Sequence, residues 1–426
     1  MSEARVHLDV HRRALPGGLV LLAARKTSAP TVALSCAFEV SRMHDPADKP
    51  GLAHFVGQSL DEGTRRRSGD ELAELVEGYG GHLGCGGNGA SVQFAVEDVE
   101  AAADVLAEVV REPSFPAKEV ERVRKLVLAE IQADLDEPRT VASQEFRRRV
   151  YGDHPFGVPV KGTAESVAAI SRADLEVFHA TWFRPDNAVI AAVGDLEPEA
   201  LLDLCEARFA DWDGHAPAYP GHGYPQAPAE PRRLHIAQDK QQVQVFLGHL
   251  GVRRGDPDFY KLRVMDHVLG SGPGFTSRIA RKLRDEQGLC YAVGAGITGS
   301  AGHERGVFSA YIGTSPGQEE RAVEGLLAEV RAIRDEPPGE QELADVHAYL
   351  TGSFVWALER NAHLAGFLVR LERFDLGLDH LDRLPGLIRG VTRDDVRAAA
   401  EAHLDPSRYD LVTLGPVAAG AAAARS

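Results

Sequence analysis

A histidine at position 54 begins a motif from which catalytic groups are missing. Residues 51–64 read GLAHFVGQSLDEGT, so Gly57 follows His54 at i+3 and Gln58 follows it at i+4. On a helix, side chains at i and i+4 share a face and can bind one zinc ion, while a carboxylate at i+3 can deprotonate metal-bound water. Gly57 supplies no base, and Gln58 supplies only a neutral amide oxygen, a poor zinc ligand. The pattern indicates the helix of a hydrolytic zinc site that lacks its base and one ligand.

The stretch PGLAHFVGQSLDEGT resembles the GLAHFLEHMLFKGT type of segment in the pitrilysin and mitochondrial-processing-peptidase family, the inverted zincins. In that family a Glu on a later helix completes the zinc site, and the matching stretch here, EVERVRKLVLAEIQADLDEP, puts Glu130 at that position. The family's substrate strand has an Asn where GGHLGCGGNGAS has Gly84. With Gly57 and Gln58 beside it, we expect His54 to be a partly buried helix histidine with a satisfied hydrogen bond.

The second half of the chain carries a motif that matches the same family more completely. The stretch LRDEQGLCY places Arg284 seven residues before Tyr291. The resemblance implies that these residues are the family's Arg/Tyr pair, which reaches the zinc site from the second domain and binds the substrate carbonyl. A phenol hydroxyl and a fixed guanidinium suit that role, because both can stabilise the oxyanion that water attack creates. In the alternative interpretation, Arg284 pairs with surface carboxylates and Tyr291 only begins a strand.

A repeat shows which elements must position these residues. The segment from Ile170, ISRADLEVFHATWFRPDNAVIAAVGDL, aligns without gaps on VTRDDVRAAAEAHLDPSRYDLVTLGP from Val391, an offset of 221 residues. The same offset superposes VLAEV at 105–109 on LLAEV at 326–330. Each matched unit predicts a capped helix, a break containing Pro, and then an apolar strand. The chain therefore looks like two copies of one α+β domain.

The composition of the segment between the two copies predicts the domain boundaries. Pro and Gly are concentrated in DWDGHAPAYPGHGYPQAPAEPRR, as in a linker. We expect an N-terminal α+β domain at residues 1–215, a linker at 216–232, and a C-terminal α+β domain at 233–420 that carries the Arg/Tyr pair. Each domain is expected to contain a mostly antiparallel sheet with packed helices. The family resemblance further implies that the domains enclose a peptide chamber together with a partner subunit.

The bulk composition excludes several kinds of partner. The formal net charge is −16, so nucleic acid, which requires a clustered basic surface, is not expected as a partner. The four cysteines lie far apart without a C-x-x-C pair, which favours a reducing compartment over a disulfide framework. No run of 18 apolar residues and no signal peptide are evident, so a cytoplasmic protein that does not contact membranes is predicted.

The family resemblance, together with the incomplete motif at His54 and the intact motif of Arg284 and Tyr291, implies the non-zinc subunit of a two-subunit metallopeptidase. A zinc-bearing homologous subunit would supply H-x-x-E-H, while this chain, which holds no metal of its own, would supply Arg284 and Tyr291 for hydrolysis of a peptide substrate. The alternative is a catalytically inactive homologue that binds peptides or acts as a scaffold. An independent peptidase that uses His54, Glu130 and another ligand is the least favoured hypothesis, because it lacks a general base, worth about 10²–10⁴ in rate.

Overall fold

The computed structural model describes residues 8–219, 221–272 and 277–416. The chain divides into two compact units, and neither unit is contiguous in sequence. The first unit is drawn from Met1–Gln132, Pro159–Gly221 and Phe354–Asp382. The second unit is drawn from Ala133–Val158, His222–Ser353 and Arg383–Ser426.

The first unit is built on a six-stranded sheet. Its strands are β1 (Val10–Ala14), β2 (Val20–Arg25), β3 (Thr31–Phe38), β4 (His82–Gly86), β5 (Gly89–Ala95) and β6 (Ala188–Gly194). The order across the sheet is β1-β2-β6-β3-β5-β4, so β4 is an edge strand. Only the pair β2 and β6 is parallel.

The second unit is built on a five-stranded sheet that, over the described residues, repeats the topology of the first sheet without a counterpart of β1. Its strands are β7 (Arg232–Ala237), β8 (Val243–Leu250), β9 (Cys290–Gly296), β10 (Val307–Thr314) and β11 (Asp410–Gly415), in the order β7-β11-β8-β10-β9. The pair β7 and β11 is parallel, as β2 and β6 are, and the other pairs are antiparallel. The predicted pair of α+β domains with mostly antiparallel sheets is confirmed.

Helices alternate with these strands, and several of them pack on the sheets. They are α1 (Leu52–Gly57), α2 (Gly69–Gly78), α3 (Val99–Arg111), α4 (Ala117–Asp136), α5 (Pro138–Tyr151), α6 (Ala164–Ala169), α7 (Arg172–Trp182), α8 (Pro198–Phe209), α9 (Phe259–Asp266), α10 (Glu319–Asp335), α11 (Glu340–Ala357), α12 (Asn361–Arg373), α13 (His380–Arg389) and α14 (Arg393–His403). In the part of the chain that the structure describes, no helix is long and apolar enough to cross a membrane.

Local interactions repeat at the offset of the sequence repeat. Ser171 caps α7 in a reciprocal box with Asp174, and Thr392 caps α14 in the same way with Asp395, as the sequence predicts. Residues 105–109 and 326–330, which the repeat also pairs, lie in the equivalent helices α3 and α10. The repeat therefore extends from backbone topology to individual helix caps.

The equivalent helices α3 and α10 also bury one carboxylate each at matched positions, and each carboxylate is paired with a more exposed cation. In α3 the buried carboxylate of Glu108 accepts hydrogen bonds from Arg67 and Thr64. In α10 the buried Glu329 accepts one from Lys282 at 2.6 Å. A buried carboxylate requires such partners, because its desolvation is otherwise costly.

Two equivalent helices explain why the compact units are discontinuous. Helix α5 comes from the first half of the chain, but it packs on β8 and β11 of the second unit. Helix α12 comes from the second half, but it packs on β3 and β6 of the first unit. The predicted boundaries at 215 and 233 follow the sequence repeat, whereas the compact units differ from them by these exchanged segments.

Candidate functional site

Helix α1 of the first unit begins at a backbone position that only glycine readily adopts. Gly51 has φ of 94°, and a Cβ placed there would lie 2.4 Å from the carbonyl oxygen of Lys161. The carboxylate of Asp45 accepts hydrogen bonds from the backbone N–H groups of Gly51 and Ala53 at 2.8 and 2.7 Å. Burial nevertheless raises the pKa of Asp45 to about 6. The Asp45 carboxylate thus fixes the start of the helix that carries His54.

His54 is half-buried in α1, as predicted, but its expected hydrogen bond is absent. Its Nε2 atom is buried and has no hydrogen-bond partner among the described residues. Burial lowers the pKa of His54; Glu130 acts to raise this pKa and Lys161 acts to lower it. The imidazole is therefore neutral near pH 7. The prediction of a satisfied hydrogen bond at this side chain is wrong.

Gly57 is enclosed by the backbone of a neighbouring hairpin. A Cβ at this position would lie 2.2 Å from the carbonyl carbon of Gly86 and 2.3 Å from the amide nitrogen of Gly87. Gly86 is the last residue of β4, which packs against α1, and Gly87 begins the turn to β5. Contacts this short cannot be relieved by a side-chain rotation, because the clashing atoms are main-chain atoms. The structure has no space for a carboxylate base at position 57.

Gln58 and Glu130 lie at the two positions where the family resemblance implies further zinc ligands. The helix ends at Gly57, and the backbone N–H of Gln58 donates to the carbonyl oxygen of His54 at 3.0 Å while its side chain is exposed. Glu130 lies on α4 with an exposed carboxylate that pairs with the Lys161 ammonium at 3.3 Å. His54 thus lies within electrostatic range of both Glu130 and Lys161. The sequence did not indicate that Lys161 lies at this position. One imidazole, one paired carboxylate and one amide do not fit a three-ligand zinc centre.

The described residues contain one cluster of metal-ligating side chains, and it lies elsewhere. Asp256, Asp258 and His403 of the second unit bring their ligand atoms within 4.8 Å of one another. Asp258 already pairs with His403 at 3.0 Å and with Lys261 at 2.9 Å. Asp258 and His403 are thus already engaged with each other or with Lys261.

Arg284 lies in the second unit on a π-helical segment, Ala280–Glu286. Its Nε and Nη2 atoms donate to the two carboxylate oxygens of Asp285 at 2.8 and 3.1 Å. These hydrogen bonds raise the pKa of Arg284, and smaller contributions come from Cys290 and Tyr291. A two-point contact of this kind orients the plane of the guanidinium. Asp285 is thus the carboxylate partner that the alternative interpretation expects for Arg284. Tyr291 lies within electrostatic range of the same guanidinium.

Tyr291 is the second residue of β9, the edge strand of the five-stranded sheet. Its side chain is 90% exposed, an unusual state for a large aromatic residue. Tyr291 and Arg284 both line a cavity of about 530 Å³ that is formed entirely by residues of the second unit. The structure thus presents the predicted pair at one open concave surface. Their roles in a reaction stay a prediction.

The same cavity contains residues that sequence reasoning missed. Arg139 and Arg147 line it from α5, and Tyr311 lines it from β10. The two arginines come from the first half of the chain and reach this surface only because α5 packs on the second sheet. No local pattern around residues 138–151 reveals this placement. The 221-residue repeat could not reveal it either, since the repeat does not show which sheet a helix covers.

Two family models together match most of the chain. Residues 20–164 match the model described as insulinase, peptidase family M16, and residues 169–350 match the model described as the peptidase M16 inactive domain. The first match contains His54 and Glu130, and the second contains Arg284 and Tyr291. The fold and the site thus define a protein of the inverted-zincin class. The chain belongs to peptidase family M16, the pitrilysin family.

Relatives and solved structures align along nearly the whole chain. A protein of Mycobacterium tuberculosis named as an uncharacterized zinc protease is 28% identical over 421 residues, which are 96% of this chain and 94% of the relative. A Streptomyces coelicolor protein of the same description is 26% identical over 417 residues, with 96% and 90% coverage. A crystal structure from Pseudomonas fluorescens, described as a peptidase M16 inactive domain, has a TM-score of 0.88 and 29% identity, and covers 96% of this chain and 99% of that one. A protease structure from Helicobacter pylori has the same TM-score at 17% identity, with 96% and 100% coverage, and supports the fold alone.

Proposed function

We propose that this chain is the non-zinc subunit of a heteromeric zinc metallopeptidase. The observation that carries the proposal is an asymmetry between the two units. The first unit has no space for a base at Gly57, while the second unit exposes Tyr291 beside an oriented Arg284 at an open cavity. A chain of this kind can stabilise a reaction that it cannot begin by itself.

The chemistry assigned to the two residues is carbonyl binding and oxyanion stabilisation. Water attack on a peptide carbonyl places negative charge on oxygen, and the Tyr291 hydroxyl can donate a hydrogen bond to that oxygen. Arg284 adds a permanent positive charge, because a guanidinium does not lose its proton at neutral pH. Asp285 holds the guanidinium in place before substrate arrives, so little reorganisation is needed during the reaction.

Zinc and the base are assigned to a homologous partner subunit with an intact H-x-x-E-H motif. In this chain His54, Gly57, Gln58 and Glu130 form a degenerate zinc site in the proposal. A cytoplasmic location is also proposed, and the four unpaired thiols of the chain are consistent with it, since reducing compartments keep cysteines free.

The test is reconstitution with the zinc-bearing homologue from the same organism. A mixture should hydrolyse peptides that neither chain hydrolyses alone. Tyr291→Phe and Arg284→Ala should each lower kcat by about 10²-fold, with a smaller change in KM, because the contacts strengthen as the oxyanion forms. His54→Ala should leave the rate of the mixture unchanged.

Two matched controls separate this effect from general damage. Tyr79→Phe removes a hydroxyl from another exposed tyrosine, and Arg281→Ala removes a guanidinium from the same π-helical segment. Both variants should keep the full rate. If Tyr291→Phe and Arg284→Ala combined leave an assembled complex at its unmodified rate, the chain is a peptide-binding or scaffolding homologue instead. Recovery of a homodimer without any zinc-motif homologue from the native cell would favour the same alternative.

A further inference from the structure

The cavity beside Arg284 and Tyr291 has a charge opposite to that of the whole protein. Among the described residues, three arginines line it, Arg139, Arg147 and Arg284, and no aspartate or glutamate does. The chain as a whole carries a formal net charge of −16. A basic cavity in an acidic protein attracts anionic groups locally, because field lines concentrate within a concave surface.

Arg139 presents its guanidinium without a carboxylate partner among the described residues. It lies in the first turn of α5, and its guanidinium carbon is 4.1 Å from the centre of the Tyr311 ring. Stacking on an aromatic ring fixes the plane of the guanidinium. The N–H donors lie in that plane and stay available to bind a ligand. Tyr311 is itself fixed, because its hydroxyl donates to Gln244 at 2.8 Å. Arg139 is therefore oriented for a ligand that accepts hydrogen bonds.

Arg147 lies two turns further along the same helix and is half-buried. Its guanidinium carbon is 5.3 Å from the centre of the Tyr151 ring, and no ion pair to it occurs within the described ranges. Arg284, by contrast, is neutralised by Asp285. Arg139 and Arg147, both on α5, are therefore the two guanidinium groups of the cavity without an ion-paired carboxylate among the described residues, while Glu137 at the start of α5 acts electrostatically on Tyr311.

Strand β9 gives the cavity a preference for extended chains. It is the last strand in the order β7-β11-β8-β10-β9, and Tyr291 and Ala292 on it are exposed. The far end of β9 is covered, since the Ser271 hydroxyl donates to the carbonyl oxygen of Ala295 at 2.7 Å. An edge strand pairs readily with an extended peptide through main-chain hydrogen bonds, which do not depend on the peptide's sequence. Sequence preference must then come from side chains beside the strand.

We propose that this cavity binds an acidic peptide segment in extended conformation along β9, with Arg139 and Arg147 binding its carboxylate side chains. The inference deepens the proposed function, because it names acidic peptides as the substrate class delivered to Arg284 and Tyr291. Arginine suits this recognition, since its planar fork matches both oxygens of a carboxylate. Nucleic acid does not suit it, because two arginines in a strongly acidic protein do not make an extended basic surface.

The test measures binding by the full chain alone, without a zinc-bearing partner. Rhodamine-labelled decapeptides that differ only in four positions, occupied by Glu, Gln or Lys, are titrated by fluorescence anisotropy. The Glu peptide should bind at least tenfold more tightly than the Gln peptide, and the Lys peptide should bind most weakly. Arg139→Gln and Arg147→Gln should each weaken binding of the Glu peptide about tenfold, since each removes a charge-assisted contact, while hardly changing binding of the Gln peptide.

Arg148→Gln is the matched control. It makes the same change of charge on the same helix, but Arg148 does not line the cavity and pairs with Glu145 at 2.6 Å. It should leave binding of the Glu peptide within twofold of the unmodified chain, and thermal melting should show all three variants folded. Equal affinity for the Glu and Gln peptides, or an equal loss in Arg148→Gln, would refute the proposal.

This outcome is independent of the reconstitution experiment. Acidic-peptide binding that persists while Tyr291→Phe and Arg284→Ala leave the rate of the complex unchanged would keep the binding site and remove the catalytic role. If the reconstituted activity depends on Tyr291 but does not distinguish Glu from Gln peptides, the catalytic role is kept and the acidic-peptide site is removed.

Discussion

Helix α1 ends at Gly57, and the turn between β4 and β5 packs directly on that residue. A glycine in a helix is usually replaced by alanine with a gain in stability, because alanine restricts the unfolded chain and has the higher helix propensity. At position 57 this gain is opposed by main-chain atoms 2.2–2.3 Å from the new Cβ. The steric term is the larger one, since the hairpin must move for any side chain to fit.

We therefore predict that Gly57→Ala lowers the free energy of unfolding by about 2–3 kcal/mol. Gly78→Ala is the control, because Gly78 is also the last residue of a helix, α2, and a Cβ there would meet no atom within 4 Å. That variant should be neutral or more stable by up to about 1 kcal/mol. Urea denaturation of the two variants measures the difference, and equal stabilities would contradict the packing argument.

A buried carboxylate predicts a pH dependence at the residue scale. Burial raises the pKa of Asp266 to about 6, although its carboxylate accepts hydrogen bonds from the backbone N–H groups of Ile297 and Thr298. Because the folded pKa exceeds that of the unfolded chain, the folded state binds more protons at pH 4–6. The contribution of Asp266 to stability is thus fully present below the unfolded pKa and is lost as pH rises through about 6.

Comparison with Asp266→Asn isolates this contribution, since the amide does not titrate. The stability of the unmodified chain relative to the variant should fall between pH 4 and pH 7, by an amount on the order of 3 kcal/mol. Thermal unfolding of both chains at each pH measures this difference. A difference that stays constant over this range would show that the pKa of Asp266 is not raised.

At the scale of elements, helices α5 and α12 show what the sequence could and could not predict. The caps of α7 and α14 and the strands after them were predictable, because each depends on residues within one short segment. The duplication was predictable because two such segments match at a constant offset. The exchange of α5 and α12 between the units was not predictable, because both helices have an apolar face that would fit either sheet. In α12 that face includes Leu364, Leu368 and Leu371, which are buried against the first sheet.

The exchange predicts that the first half of the chain does not fold stably when expressed alone. A fragment of residues 1–215 lacks α12, so the sheet face formed by residues such as Leu22, Ala33 and Val193 becomes exposed. An exposed apolar sheet face favours aggregation. We expect the fragment to be insoluble or to lack a cooperative thermal transition. A fragment that is monomeric and melts cooperatively would contradict the prediction.

Addition of the missing segment provides the control for this experiment. Co-expression of residues 354–382 should increase the soluble yield of the 1–215 fragment, because it restores α12. The same segment with Leu368→Asp should not, since Leu368 is fully buried in the apolar cluster. Rescue by both segments would show that the effect does not depend on packing of α12.

At the scale of the whole molecule, the sequence indicates Arg284 and Tyr291 as candidate site residues but does not reveal their surroundings. Arg284 and Tyr291 could be found because they are close in sequence within a family motif. Arg139, Arg147 and Lys161 are distant in sequence from the residues that they accompany, so only the fold relates them to the site. The steric closure at Gly57 was hidden for the same reason, since its neighbours Gly86 and Gly87 belong to another element.

At the same scale, we predict that the isolated chain binds no stoichiometric zinc. His54 is neutral near pH 7 and could bind zinc, but Glu130 is engaged by Lys161 and no third protein ligand accompanies them in the described structure. Loss of one ligand from a three-ligand site weakens zinc binding by orders of magnitude, because the remaining donors must also compete with water.

The chain dialysed against micromolar zinc should therefore retain no more metal than His54→Ala does, as measured by mass spectrometry of the protein and dialysate. Peptide hydrolysis should be absent from both samples and should appear only when the zinc-bearing homologue is added. One zinc ion per chain that His54→Ala removes, with chelator-sensitive hydrolysis in the absence of a partner, would instead establish the chain as an independent peptidase.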